Sequence, residues 1–389
     1  MIPLLRRLDW LLVCAVLGLC GIGSMLVWSA TRARQLAAGG DPNAYLYHHL
    51  ATIAIGVVLA CAMVRFRYTR LRTYGPAGYL VAVLGLLLVL TPLGRTINGS
   101  HSWIVLGGFT LQPSEPAKLA LCVGLALLLA DRNASSTGYD RAVLPQSLAL
   151  GALPIGLVML QPDLGSAAVL AAIVAGVLVA AALPARWLIA LATAAALGAA
   201  GIVRFGLLSQ YQIDRLTAFT DPSLDPDGVG YNAQQARIAI GSGGLTGKGL
   251  FHGTQTAGQF VPEQHTDFVF TVAGEELGFL GAGIILLLFA VLLQRACAIA
   301  IRSNDLFGAL LASGIACWFG FQTVVNIGMT LGVAPVTGLP LPFVSYGGSA
   351  MLANLMAVGL LQNVHLGTFG ISGSRAPSPD RFLATAKYR

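Results

Sequence analysis

Phe279-Leu-Gly-Ala-Gly-Ile-Ile-Leu-Leu-Leu-Phe-Ala-Val-Leu-Leu293 carries no charge and no alternation of apolar with polar residues. A barrel strand would alternate with period two, so the run reads as a helix. Extended back to Asp267 and on to Gln294, it exceeds the roughly 20 residues that a bilayer span requires. Similar apolar runs cover 9–30, 46–64, 76–93, 115–130, 146–161, 164–183, 186–207, 304–331 and 343–364. The fourth and fifth are short for a span. Of the 389 residues, 56% are hydrophobic and 10% charged, against about a quarter charged in soluble domains. Too little polar surface exists to cover such a chain in water. The expected fold is an all-α polytopic integral membrane protein with about ten transmembrane helices.

Arginine placement gives an orientation. The cluster Arg65-Phe-Arg-Tyr-Thr-Arg-Leu-Arg72, with Arg6, Arg7, Arg295 and Arg302, falls on one side when both termini are cytoplasmic. The net charge of +7 then reads as topology plus attraction to anionic lipid headgroups, with no nucleic acid needed. The first apolar run is too long for a cleaved signal peptide and is followed by further spans, so it is expected to stay as an anchor. Residues 1–366 form the expected transmembrane domain, and 367–389, rich in Gly, Ser and Pro, an expected disordered cytoplasmic tail. The largest outer loop is expected over 208–266, with smaller polar ones at 94–114 and 332–345. Six cysteines lie within apolar runs without a CxxC pair and read as small hydrophobes.

Ionisable groups near membrane depth are the candidates for chemistry. Asp267 opens the quoted helix after Pro262-Glu-Gln-His-Thr266. It reads either as a helix cap or as a general base at the bilayer surface, its pKa raised by desolvation and lowered by the helix N-terminus. Glu115 and Lys118 share one helical face at i,i+3. They read either as a local ion pair or as the source of a cation for phosphate. Arg215, Arg237 and Lys248 could add to that anion site. The segment Gly241-Ser-Gly-Gly-Leu-Thr-Gly-Lys-Gly249 could bring peptide N–H groups to a phosphate, although its spacing is not that of a P-loop. Asp163 stands at a break between two apolar runs and reads as a cap. No His/Cys/Asp group has metal-ligand spacing.

The run Asn326-Ile-Gly-Met-Thr-Leu-Gly-Val-Ala-Pro-Val-Thr-Gly-Leu-Pro-Leu-Pro-Phe-Val-Ser-Tyr-Gly-Gly-Ser349 resembles the signature of the SEDS family of shape, elongation, division and sporulation proteins. Phe260-Val-Pro-Glu-Gln-His-Thr-Asp-Phe-Val-Phe270 with Glu275-Glu-Leu-Gly278 resembles its catalytic loop. Gln112-Pro-Ser-Glu-Pro-Ala-Lys118 and Gln161-Pro-Asp-Leu-Gly165 match further motifs in order. Residues 335–342 and Glu263-Gln264 are most like the RodA, or elongation, branch, while Gly274 leans towards FtsW. His101-Ser102 before Trp103 depart from the basic residue common in the family.

The resemblance implies a peptidoglycan glycosyltransferase of the bacterial cell membrane that joins lipid II units and releases undecaprenyl pyrophosphate. It also implies a class B penicillin-binding protein as partner. Asp267 matches the essential aspartate. Glu115, Lys118, Arg215, Arg237, Lys248, Trp103, Gln264, His265 and Ser345 are the expected substrate-binding residues. A divalent cation, Mg or Mn, is the one cofactor left open. A lipid II flippase is the second reading, and an inactive scaffold for a transpeptidase the third. A flippase needs a polar path open to each face in turn, whereas these candidates gather at one end of the spans.

Overall fold

A computed structural model describes residues 6–370, apart from 67, 98, 107–108, 134–142 and most of 185–227. The described chain is mostly helical. Its helices are α1 (Trp10–Ala37), α2 (Ala44–Arg65), α3 (Tyr68–Val89), α4 (Ser114–Asn133), α5 (Val143–Met159), α6 (Leu164–Ala180), α7 (Val229–Ser242), α8 (Thr254–Ala257), α9 (Val269–Glu276), α10 (Gly278–Arg302), α11 (Leu306–Leu331) and α12 (Gly348–Gly370). Six of them, α1, α2, α3, α10, α11 and α12, are long and apolar enough to cross a membrane. The seventh expected span, 186–207, and much of the expected 208–266 loop lie outside the described residues, as does the tail beyond 370. The described part of that loop holds α7 and α8.

Carboxylates and one glycine set several helix ends. Asp9, Asp163 and Asp305 accept from the peptide N–H of Leu12, Ser166 and Gly308, capping α1, α6 and α11. Gly332, at φ 73°, ends α11 in the left-handed conformation that glycine adopts without strain. At the centre α11 packs on α4, α6 and α10, with Trp318 and Phe319 fully buried. Helix α2 lies mainly along α12, where Gly56 meets Leu355 and Gly359 meets Ala60.

Three expectations change. The 94–114 segment is not a plain loop. It forms an antiparallel sheet β1 (Gly94–Ile97), β2 (Ser100–Leu106) and β3 (Phe109–Leu111), in that order. The all-α reading is therefore corrected to mostly helical with one small sheet. The dipeptide Asn98-Gly99 is a strong hairpin signal, and Ser102 and Ile104 face inward while Val105 faces out. Second, the cysteines are free, but Cys14, Cys61 and Cys297 are exposed on their helices rather than buried.

Third, the quoted run is helical, but its expected extension back to Asp267 does not continue the same helix. It breaks at Gly278, at φ 66°, leaving α9 as a short buried helix ahead of α10. Broken helices are tolerated at such depth only when the freed backbone groups find partners. The glycine-rich 241–249 segment supplies them. Lys248 N and Gly249 N donate to Glu275 O and Glu276 O, both at 3.0 Å, while Phe279 N and Leu280 N donate to Gly244 O and Leu245 O at 2.9 and 3.0 Å. The N–H groups read as a phosphate cradle are thus bonded to carbonyls. The glycines permit the approach: a Cβ on Gly243 would strike Gly274 O, and one on Gly247 would strike Glu276 O.

Gly247 combines that contact with φ 78°. Gly247→Ala is therefore expected to destabilise the detergent-solubilised protein by about 2–4 kcal/mol, combining αL strain with a backbone clash. Gly283→Ala, where nothing lies within 4 Å, provides the control in thermal unfolding.

Candidate active site

Asp267 sits in the turn before α9, and the turn is fixed by its own backbone. Glu263, at φ 50°, turns its carbonyl inward to accept from Thr266 N, Asp267 N and Phe268 N at 3.1–3.3 Å. Three buried contacts then hold the turn in place. Gln264 Nε2 donates to Ala30 O of α1 and to Thr256 O of α8, at 3.0 and 2.9 Å. His265 O accepts from Tyr346 N at 2.9 Å. Asn326 Nδ2, from α11, donates to Asp267 O at 2.8 Å and to Leu339 O at 2.6 Å. The capping reading of Asp267 fails, because Phe268 is the N-cap residue of α9 and no side chain caps that helix. The carboxylate is left to face the 337–339 segment.

Arg215 arrives there from the large loop. Its Nη1 donates to Thr337 O at 2.8 Å. A Cβ on Gly338, at φ 73°, would stand 3.1 Å from Arg215 Nη2 and 3.4 Å from Asp267 Oδ2. Glycine therefore lets the backbone pass between a guanidinium and a carboxylate. The start of α6 closes the other side, where Gly165 abuts Thr337 O and Leu339. Asp163 holds Gln112 there through a bond of 3.1 Å from Gln112 Nε2.

Burial pushes the Asp267 carboxyl up to about 7 from 3.8. Glu263 and Asp163 add to the rise, while Arg215 and the Thr266 hydroxyl oppose it. The side chain is half-buried, packed round by protein yet still open to a reactant. An acid whose pKa is raised on folding binds more protons folded than unfolded between the two values. Stability therefore falls as pH rises from 3.8 to about 7. Burial pushes His265 below its usual value, with Glu263 opposing and Arg34 reinforcing the shift. Its ring packs between Tyr45 and Tyr346 at 5.3 and 5.7 Å.

The other expected site residues separate into two groups. Gln264, His265, Arg215 and Ser345 belong to the Asp267 neighbourhood, Ser345 by accepting from Leu341 N at 2.8 Å and so shaping the 341–345 turn. The rest are engaged elsewhere. Lys118, fully buried, donates to Glu115 Oε1 at 2.7 Å and to Gln322 Oε1 at 3.2 Å, with Trp318 beneath it at 5.5 Å. This is the ion-pair geometry, and the ammonium is enclosed. Lys248 pairs with Glu275 at 2.7 Å. Arg237 donates to Gly332 O at 3.1 Å, a cation on the C-terminal end of α11. Trp103 stands on β2 opposite Arg95.

Sequence reasoning gave no role to Gln322 and Asn326. They are i,i+4 amides on one face of an apolar helix. Gln322 Nε2 donates to Pro340 O at 2.7 Å, so both hold the 337–340 segment. Their signal was polarity within a hydrophobic run, which is costly unless bonded. Among the described residues no group of three His, Cys, Asp or Glu side chains could hold a metal ion.

Fold and site define a multi-pass membrane protein with a half-buried carboxylate held in a turn before α9. The family model described as "Cell cycle protein", which covers FtsW, RodA and SpoVE, matches residues 10–368. The chain belongs to this family. It is 37% identical over 364 residues to "Probable peptidoglycan glycosyltransferase FtsW" of Trichlorobacter lovleyi, covering 93% of this chain and 94% of that one. A solved structure described as "Structural coordination of polymerization and crosslinking by a peptidoglycan synthase complex" matches at TM-score 0.78 and 36% identity, over 93% of this chain and 99% of that one. The crystal structure of Thermus thermophilus rod shape determining protein RodA matches at TM-score 0.67 and 34% identity, over 93% and 98%. Likeness to FtsW and to RodA is thus similar in degree and does not separate the branches.

Removing the ammonium from the Glu115–Lys118 pair would leave a buried, unpaired charge. Lys118→Met is expected to cost on the order of 3–5 kcal/mol of stability. The double change Lys118→Met with Glu115→Gln should recover most of it in thermal unfolding. A purely ligand-binding Lys118 would leave the unfolding temperature unchanged.

Proposed function

We propose that this protein is a peptidoglycan glycosyltransferase joining lipid II units into glycan strands, with Asp267 as general base. The observation that carries this reading is a half-buried carboxylate fixed in a turn beside Arg215 and Gly338, where burial raises its pKa towards the neutral range in which a base is most effective. Asp267 takes the proton from the 4-hydroxyl of the acceptor GlcNAc as that oxygen attacks the anomeric carbon of the donor MurNAc. The new C–O bond forms as the bond to undecaprenyl pyrophosphate breaks, with inversion. Arg215, held against Thr337, supplies positive charge near the developing anion. Gln264, Asn326 and Gln322 position the turn and the 337–340 segment and take no proton. No step is assigned to a metal.

The same reading places about ten spans in the membrane, with both termini cytoplasmic and the 208–266 loop outside. The family's partnership, carried to this chain, makes a class B penicillin-binding protein its companion, and residues 335–342 favour a task in elongation and cell shape. Glu115, Lys118 and Asp267 lie at the same ends of their helices, which favours surface chemistry over transport from one leaflet to the other.

Asp267→Asn in the purified full-length protein is expected to slow lipid II polymerisation by about 10²–10⁴-fold. Its unfolding temperature at pH 8 should match or exceed the unsubstituted protein's, because the costly buried charge is gone. Glycan strands formed at the normal rate would overturn the assignment.

A further inference from the structure

A cavity of about 200 Å³ opens beside the C-terminal end of α1 and is lined by Ser29, Arg32, Phe251, Gly253, Thr256 and Glu276, among others. That volume is several times the ≈30 Å³ share of one water molecule in the liquid. Glu276 is 1% exposed. Ser29 Oγ donates to its Oε1 at 2.6 Å, but its Oε2 has no hydrogen bond of its own, although the peptide groups of Phe251 and Gly253 face the carboxylate. A buried carboxylate oxygen without a donor calls for a cation or an N–H group. Phe251 offers an aromatic ring beside it. On the rim, the Arg32 guanidinium lies 5.4 Å from the Phe251 ring and 5.9 Å from that of Trp28, a cation available to an anion.

Position names the source of the ligand. Helix α1 has 28 residues, more than the roughly 20 needed to cross hydrocarbon, so its last turns leave the bilayer. Trp28 followed by Arg32 and Arg34 is the order expected at a membrane interface, and Leu36, also lining the cavity, is exposed beside it. We infer that this cavity binds the zwitterionic headgroup of a phosphatidylethanolamine lipid, its ammonium on Glu276 and its phosphate on Arg32. The chemistry is selective. A choline headgroup has no N–H to give Glu276 Oε2, and a glycerol headgroup brings a phosphate without a compensating cation.

The test uses the full-length protein in mild detergent with an equimolar mixture of phosphatidylethanolamine, phosphatidylglycerol and phosphatidylcholine of matched acyl chains. Native mass spectrometry then counts the retained lipids. Phosphatidylethanolamine should be retained about tenfold over each competitor, as expected for one charge-assisted hydrogen bond. Glu276→Gln, nearly isosteric, should remove most of that preference, and Arg32→Gln, on the exposed rim, should lower the retention of all three lipids, whose phosphate is common. Equal retention of the three lipids, an undiminished preference in Glu276→Gln, or unchanged lipid retention in Arg32→Gln would overturn the inference.

Discussion

A carboxylate can serve as a base near neutral pH only if something other than its own charge holds it in place. The Glu263–Asp267 turn meets that condition through its backbone. One carbonyl gathers three peptide N–H groups, and the side chains of Gln264 and Asn326 tie the turn to α1, α8 and α11. Because the main chain carries the positioning, the Asp267 side chain can sit among protein atoms that raise its pKa. An ion pair strong enough to anchor it would have lowered that pKa and removed its use. Arg215 is placed between these extremes, bonded to Thr337 O while its charge still reaches Asp267.

Elsewhere in the bundle several charges are closed into pairs. Lys118 donates to Glu115 Oε1 and to Gln322, which bonds to Pro340. Glu275 accepts from Lys248 and from the first turn of α8. Asp9 caps α1 and accepts hydrogen bonds from Nε and Nη2 of Arg295 on α10. A buried ion pair adds little net stability against an apolar replacement, yet breaking one is costly. These pairs therefore act mainly as specifiers of register between helices. The Glu115–Lys118 pair bears on the site at a distance, because the segment that Gln322 supports continues to Gly338 beside Asp267.

Much of this was legible before the structure. Apolar runs without alternation gave the six described helices long enough to cross a membrane, Asp163 at a break announced a cap, and the i,i+3 spacing of Glu115 and Lys118 offered their pair as one of two readings. What the residues did not disclose depended on contacts remote in sequence. The break at Gly278 is stable only because 241–249 supplies its backbone partners, and no local pattern states that pairing. Lys248 read as a free cation for the same reason, since Glu275 lies on a separate element. The approach of Arg215 to Gly338 is likewise a product of the folded bundle. The sheet had a local signal in Asn98-Gly99, as Gln322 and Asn326 had in their polarity within an apolar run.

The central claim is that the fold raises the proton affinity of Asp267, and infrared difference spectroscopy measures this without substrate. The protonated-carboxyl band should titrate with a midpoint close to 7 and be missing from the Asp267→Asn protein. A midpoint near 4, the range of an ordinary aspartate, would contradict the account.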